Sequence, residues 1–355
     1  MTRDVNRNNE RVFVCGAGHQ GIAMAAHLAL NGVAITLWNR SEKHIRKIEK
    51  TGKIYCQGVV NGCAQIERAS SNIEKVFSDV IMVATPSNAH KDVAKELAPF
   101  VTDKTTIILN PGRTFGAIEF AETLKECGVK RLPAIAETQT IVYTCRKVDE
   151  DSSIIYAMKK QVDIAGLKGV DIGCVVNRLP RCLRQYFRPV RSVGTTSFAN
   201  VGMILHCAPV MMNIGWIESE IADFKYYYDG ISRSIATFLE KMDKERIAVA
   251  KELGYNVATV AEWMKDEYEA SGDSLYECIR NNASYKEIDA PISIKTRYIY
   301  EDVPNGLVPI EFIGKSIGVE TRHISTVIDL ACEVTGVDFR SIGRRYTIEQ
   351  LKYYL

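Results

Sequence analysis

No apolar run in this 355-residue chain is long enough to span a bilayer, and its ten cysteines include no Cys-x-x-Cys pair. The first absence leaves no transmembrane anchor. The second leaves neither a zinc site nor a redox dithiol, and no metal is expected. The cysteines fall inside apolar runs such as Val14-Cys15 and Leu330-Ala331-Cys332, which reads as reduced, buried thiols. Net charge is almost lacking: at +2 the chain is a poor candidate for nucleic acid, though a local basic pocket remains open to it. Repeats, low-complexity tracts and long charge blocks are missing too. The first ten residues are polar and charged, with no secretory h-region. A cytoplasmic protein with small-molecule partners is the expectation, with no membrane or nucleic acid, and a homodimer is compatible with it.

What remains is ordinary globular material, 46% hydrophobic and 25% charged. The length exceeds what one core organises, so two domains are expected. Residues 11–15 (RVFVC) form a β-branched run ending in glycines. Residues 22–30 carry apolar and small residues at helical spacing, and Asn31-Gly32 stops them. Residues 33–38 (VAITLW) read as the second strand, followed by a helix from Ser41 to Lys50 that ends at Thr51-Gly52. Strands at 80–84, 106–109 and 133–136 alternate with helices around Val93–Phe100 and Ile118–Leu124. Such alternation demands right-handed crossovers and a doubly wound parallel sheet. Beyond about residue 195 helical spacing takes over, at 231–253, 257–269 and 324–334. The division is therefore 1–195, α/β, and 196–355, mostly helical.

Gly16-Ala17-Gly18-His19-Gln20-Gly21 follows the first strand and opens the first helix. In that context Gly16 permits the tight turn, Gly18 lets backbone approach a pyrophosphate, and Gly21 allows close helix packing, so the spacing points to a dinucleotide. At the end of the second strand an NAD site presents a carboxylate to the ribose. This chain has Trp38-Asn39-Arg40-Ser41 and no acid before Glu42. Arg40 can pair with a 2′-phosphate, with Asn39 and Ser41 adding hydrogen bonds, so NADP(H) is favoured over NAD(H). Thr85-Pro86 and the turn Asn110-Pro111-Gly112-Arg113-Thr114 stand at strand ends, where open sheets place ligands; either also suits a plain turn.

Of six histidines, His19, His27 and His44 need only structural roles, and His323 beside Arg322 reads as solvated. His90 suits a cap or a cofactor contact. His206 lies in an apolar segment at the domain transition, where a core residue and a catalyst are both open readings. A second cluster, residues 295–306 (KTRYIYEDVPNG), combines Arg297, two carboxylates and a Pro-Asn-Gly turn, either a charged loop or an anion clamp with an acid to orient an imidazole.

Several segments, taken in order, resemble the opine dehydrogenases. They are the glycine turn, 84–90 (ATPSNAH), 110–116 (NPGRTFG), 136–146 (AETQTIVYTCR), 203–213 (MILHCAPVMMN), 227–230 (YYDG), 239–250 (LEKMDKERIAVA) and 297–309 (RYIYEDVPNGLVP). The resemblance implies a Rossmann-type domain followed by an all-helical one, with a cleft between them that condenses an α-keto acid with the amino group of an amino acid. It implies His206 as catalytic acid/base with Asp302 as partner, and Arg297 on a substrate carboxylate. Thr138, Gln139 and Asn213 are candidate polar contacts to the keto acid or to that pair. Two departures stand out. NADH-using members carry an acid where this chain has Asn39-Arg40, and Arg322 follows Thr321 where a proline is expected. Two other readings stay open. One is a keto-acid reductase of the ketopantoate reductase or glycerol-3-phosphate dehydrogenase type, which needs a catalytic lysine; Lys225 and Lys241 are available, outside any matching motif. The other is a non-catalytic dinucleotide sensor.

Overall fold

The computed structural model describes residues 11–220 and 223–355. The polar opening stretch Met1–Glu10 lies outside them. The chain divides into two units. Among the described residues, one comprises 11–112 with Gly116–Thr196, and the other Arg113–Phe115 with Ser197–Leu355. Arg113–Phe115, which the sequence places among the first-domain turns, thus belongs with the helices of the second.

The first unit is built on an eight-stranded sheet. Its strands are β1 (Val12–Cys15), β2 (Ile35–Trp38), β5 (Arg68–Ser70), β6 (Val80–Val83), β7 (Thr106–Leu109), β8 (Ala134–Thr138), β11 (Val162–Gly166) and β12 (Phe187–Pro189). Their order is β12-β11-β8-β7-β6-β1-β2-β5, parallel throughout except between β8 and β11. β1, β2, β6 and β7 are wholly buried, which is why each reads as a continuous apolar run.

A second sheet was not foreseen: β3 (Lys53–Gly58), β4 (Gly62–Gln65), β9 (Tyr143–Asp149) and β10 (Ser152–Met158), in the order β4-β3-β10-β9. The helix His19–Leu30 packs against both sheets. That position explains its composition, since Gln20 through Leu28 are all buried. His27 sits in this layer, with Nδ1 3.0 Å from the Tyr143 hydroxyl.

The second unit is helical. Its main elements are Gly202–Met212, Arg233–Glu252, Val260–Tyr268, Val308–Ile317 and Arg322–Thr335. Between a short helix at Arg297–Tyr300 and the one at Val308 lies a π-helical turn, Val303–Leu307, buried at every residue. The Pro-Asn-Gly segment is therefore no exposed loop. The helix at Arg322 starts without the expected proline because Glu245 receives the N–H groups of His323 (2.8 Å) and Ile324 (2.9 Å). The same carboxylate lies 2.6 Å from His323 Nδ1, so that imidazole is acid-paired and not simply solvated.

All ten cysteines are free, but Cys63, Cys127 and Cys174 are exposed, so burial is not general. Among the described residues no helix is long and apolar enough to cross a membrane.

Candidate functional site

The glycine loop stands at the carboxyl end of β1, where strand order departs in two directions, to β2 and to β6. Gly16 has φ +112°, and a Cβ on it would meet Thr85 Cγ2 at 2.8 Å. A Cβ on Gly21 would stand 1.8 Å from the Gly16 carbonyl oxygen. Gly18 is different: it is exposed, with open space where its side chain would be. The following helix begins at His19 with no side-chain cap, leaving its first-turn N–H groups and dipole to a ligand. Gln20 Nε2 and Thr85 Oγ1 are buried at the loop without a partner. A bare approach to backbone, an uncapped helix start and two orphaned polar atoms fit a dinucleotide pyrophosphate.

The end of β2 divides its labour. Asn39 Oδ1 accepts the Ala17 N–H at 3.1 Å and Nδ2 donates to the Ser41 carbonyl at 3.0 Å, so this side chain braces the loop. Arg40 is exposed and paired with Asp92 at 3.0 Å. Ser41 is exposed and precedes a short 3₁₀ turn, Glu42–His44. Thr85 and Pro86 follow β6, with Pro86 exposed; His90 is fully buried, its ring edge-on to Phe120.

Lys147 was missed in the sequence. β9 carries it to the glycine loop, where its N–H donates to His19 Nδ1 (2.8 Å) and its Nζ to the carbonyls of Ala17 (3.1 Å) and His44 (3.3 Å). Burial draws the ammonium below the ordinary lysine range, against the pull of Glu150, Asp149 and Asp151. The available signal was β-alternation: Tyr143, Cys145 and Lys147 share the inward face of β9.

In the second unit the helix Gly202–Met212 is buried from Met203 to Met211. Pro209 lies inside it and cannot donate to the Leu205 carbonyl. The Tyr226 hydroxyl answers there, 2.7 Å from the His206 carbonyl and 3.4 Å from that of Leu205. A Cβ on Gly306 of the π turn would come 2.7 Å from Met203 Cβ, so only glycine lets the turn lie this close to the helix. One helical turn along, His206 Nδ1 meets Asp302 Oδ2 at 2.7 Å.

The imidazole stacks on Tyr298, centroids 4.0 Å apart. Burial lowers its proton affinity; Asp302 works against this, while Arg297 and Arg113 reinforce it. For Asp302 burial acts upward, but Arg113, then His206 and Arg297, hold the carboxyl well below its ordinary range. With the acid ionised, Nδ1 carries the hydrogen and Nε2 is the nitrogen left to exchange a proton. Arg297 is about half exposed, lies over the Tyr298 ring at 5.1 Å, and reaches Glu301 at 3.7 Å. Its guanidinium can take a carboxylate in bidentate fashion.

The remaining candidates make hydrogen bonds of their own within the fold. Thr138 Oγ1 faces the Thr140 (2.9 Å) and Leu109 (3.3 Å) carbonyls. The Asn213 amide donates to the Pro209 and Gly230 carbonyls, both at 2.8 Å, and so fastens the end of its helix. Gln139 is half-buried just past β8, its backbone N–H on the Asp163 carbonyl at 2.9 Å. Lys225 is tied to Asp289 at 2.5 Å, which raises its proton affinity and suits it poorly as a base; Lys241 is exposed.

Residues 189–335 match the family described as NAD/NADP octopine/nopaline dehydrogenase, alpha-helical domain, and residues 11–117 match the NAD-dependent glycerol-3-phosphate dehydrogenase N-terminus. An opine dehydrogenase of Arthrobacter sp. (strain 1C) is 36% identical over 341 residues, covering 95% of this chain and 94% of its own. An octopine dehydrogenase solved in complex with NADH and agmatine superposes with a TM-score of 0.79 at 18% identity, over 93% of this chain and 91% of that one. A yersinopine dehydrogenase with NADP⁺ bound does so with a TM-score of 0.74 at 11% identity, over 95% and 94%.

Proposed function

The chain belongs to the opine dehydrogenase family, NAD(P)-dependent oxidoreductases acting on CH–NH groups, and we propose that it condenses an α-keto acid with an amino acid, using His206 as acid/base and NADPH in preference to NADH. The observation that carries this reading is the buried His206–Asp302 pair.

In the condensing direction a keto acid, an amine, a proton and NAD(P)H give a secondary amine, water and NAD(P)⁺. Neutral His206 takes a proton at Nε2 from the substrate ammonium, which frees the amine to attack the keto carbon, and returns that proton to the carbinolamine hydroxyl, which leaves as water. Asp302 holds the imidazole in one tautomer and stabilises its charged form. Arg297 fixes a substrate carboxylate, and fixation lowers the entropic part of the barrier. The bound nicotinamide supplies the hydride. A panel of keto acids crossed with amino acids, followed by NAD(P)H absorbance, tests the reaction. Oxidation is expected only when both partners are present; full rates with keto acid alone would favour a simple reductase.

The preference for NADPH rests on the missing carboxylate after β2 and on two cations. Arg40 is held by an exposed ion pair, a weak hold that a phosphate can displace. Lys147 faces carbonyls and can turn to an anion at small cost. Arg40→Asp and Lys147→Met should each weaken binding of 2′,5′-ADP by roughly tenfold, the weight of one charge-assisted hydrogen bond, while sparing 5′-AMP. Calorimetry measures both. Equal losses for the two nucleotides would reduce these residues to general supports of the loop.

A further inference from the structure

Between Gly112 and Gly116 the backbone does something costly. Arg113 and Phe115 both sit at left-handed φ, +59° and +60°. Residues with a Cβ resist that region, and such strain persists only where the surroundings over-determine it. They do so here. Thr114 donates its N–H to the Asn305 carbonyl at 3.3 Å, and its own carbonyl accepts from Arg344 at 3.0 Å. Its hydroxyl receives Asn200 Nδ2 at 3.2 Å, while the Phe115 N–H donates to Ser197 Oγ at 2.8 Å. Phe115 itself is fully buried, edge-on to Phe198 and Tyr346.

The result of this anchoring is the placement of one guanidinium. Arg113 Nε lies 3.4 Å from Glu301 Oε1 and 3.7 Å from Asp302 Oδ1. The Asp302 side chain is fully buried, and Oδ1, the oxygen turned away from His206, has no hydrogen-bond partner. A Cβ on Gly202 would stand 2.9 Å from Arg113 Nη1 and 3.5 Å from His206 Cε1. Residue 202 is thus bare at the place where the guanidinium tip comes up beside the imidazole.

Taking His206–Asp302 as the proton-transfer pair, we propose that Arg113 is its positioning residue, the buried counter-charge that keeps Asp302 anionic and turned to the imidazole. A buried carboxylate with one oxygen unmatched would otherwise take up a proton or swing away. The groups facing the pair are Arg113, Arg297 and Glu301, with the Cys207 thiol and the phenols of Tyr226, Tyr227 and Tyr298. Burial raises the thiol and the phenols above their ordinary ranges, so they stay neutral. Arg113 thus acts through charge: it stabilises the carboxylate and disfavours a second cation on the ring. At rest the imidazole is neutral, the form that can receive the amine's proton.

The test is titration of His206 in the full chain by imidazole NMR, assigned with His206→Asn, alongside the pH profile of opine oxidation. In Arg113→Met the pair should bind its proton about one to two pH units higher, the size of a nearby unit charge at intermediate dielectric. The acid limb of kcat/KM should move with it. Arg113→Lys should recover most of the shift. An unmoved midpoint in Arg113→Met, or an equal shift in Arg113→Lys, would overturn the proposal. Arg113→Gln carries the same expectation should the Met variant not fold. The NMR midpoint is independent of turnover, so near-normal turnover in His206→Asn would sink the catalytic reading while leaving the role of Arg113 measurable.

Discussion

Replacing His206 with Asn is expected to lower turnover by about 10²–10⁴-fold, the usual weight of a positioned general acid/base, while dinucleotide affinity stays within a factor of about two. The substitution keeps approximate size and one polar atom near Asp302, but it removes the only group of the pair that can both accept and return a proton. Asparagine cannot carry the amine's proton to the departing hydroxyl. The wild-type pH dependence should show the same residue. Burial lowers its proton affinity, so the neutral base persists to a pH below the ordinary imidazole value of 6.5. Opine oxidation, which needs that base, should therefore hold as pH falls past this value and fail only lower, through the depressed folded value. Fluorescence titration with NADPH and steady-state rates measure the two halves. Near-normal turnover in the variant would remove His206 from the chemistry.

Gly21→Ala should act on the opposite side of the split, weakening dinucleotide binding by up to about a hundredfold. Its new methyl would stand 1.8 Å from the Gly16 carbonyl oxygen, which is backbone and has little freedom to move. Gly16 is itself at φ +112° with Thr85 close behind it. The helix must shift away from β1, and with it the N–H groups that receive the phosphates. Overpacking of this kind costs about 1–3 kcal/mol. Taken up in the bound state, that is roughly a hundredfold in affinity at its upper end. A Kd for NADPH within threefold of wild type would show that the loop can relax, contrary to the packing described. Gly18→Ala, with open space around it, is the internal comparison: it should fold normally and lose binding only through its ligand-facing methyl.

Legibility in the sequence followed burial. β1, β6 and β7 are covered on both faces and read as unbroken apolar runs, so their alternation with helices was plain. The second sheet was not, because its strands are half-exposed and their alternation is diluted: Lys53–Gly58 is KIYCQG, with only Ile54 and Cys56 buried. Lys147 was hidden for the same reason, since nothing local says which helix its strand will cover. Residues 295–306 read either as a charged loop or as an anion clamp, because the π turn within them has no periodicity of its own over five residues. Thr138 and Asn213, polar residues near strand and helix ends, invite functional readings; in the structure the Thr138 hydroxyl and the Asn213 NH2 donate to backbone carbonyls. Arg113 looked like the tail of a Pro-Gly turn. Its importance lies in a left-handed φ and a distant carboxylate, and neither leaves a trace in composition.

The three residues Arg113–Phe115 also bear on how such a chain can be recombined. The helical unit does not start at Ser197 alone; it borrows a tripeptide from more than eighty positions earlier. A chimera that joined the helices to another dinucleotide-binding half would inherit that half's tripeptide instead. Unless the donor supplied an arginine and an aromatic residue there, the graft would have a hole between Phe198 and Tyr346 and a stranded Asp302.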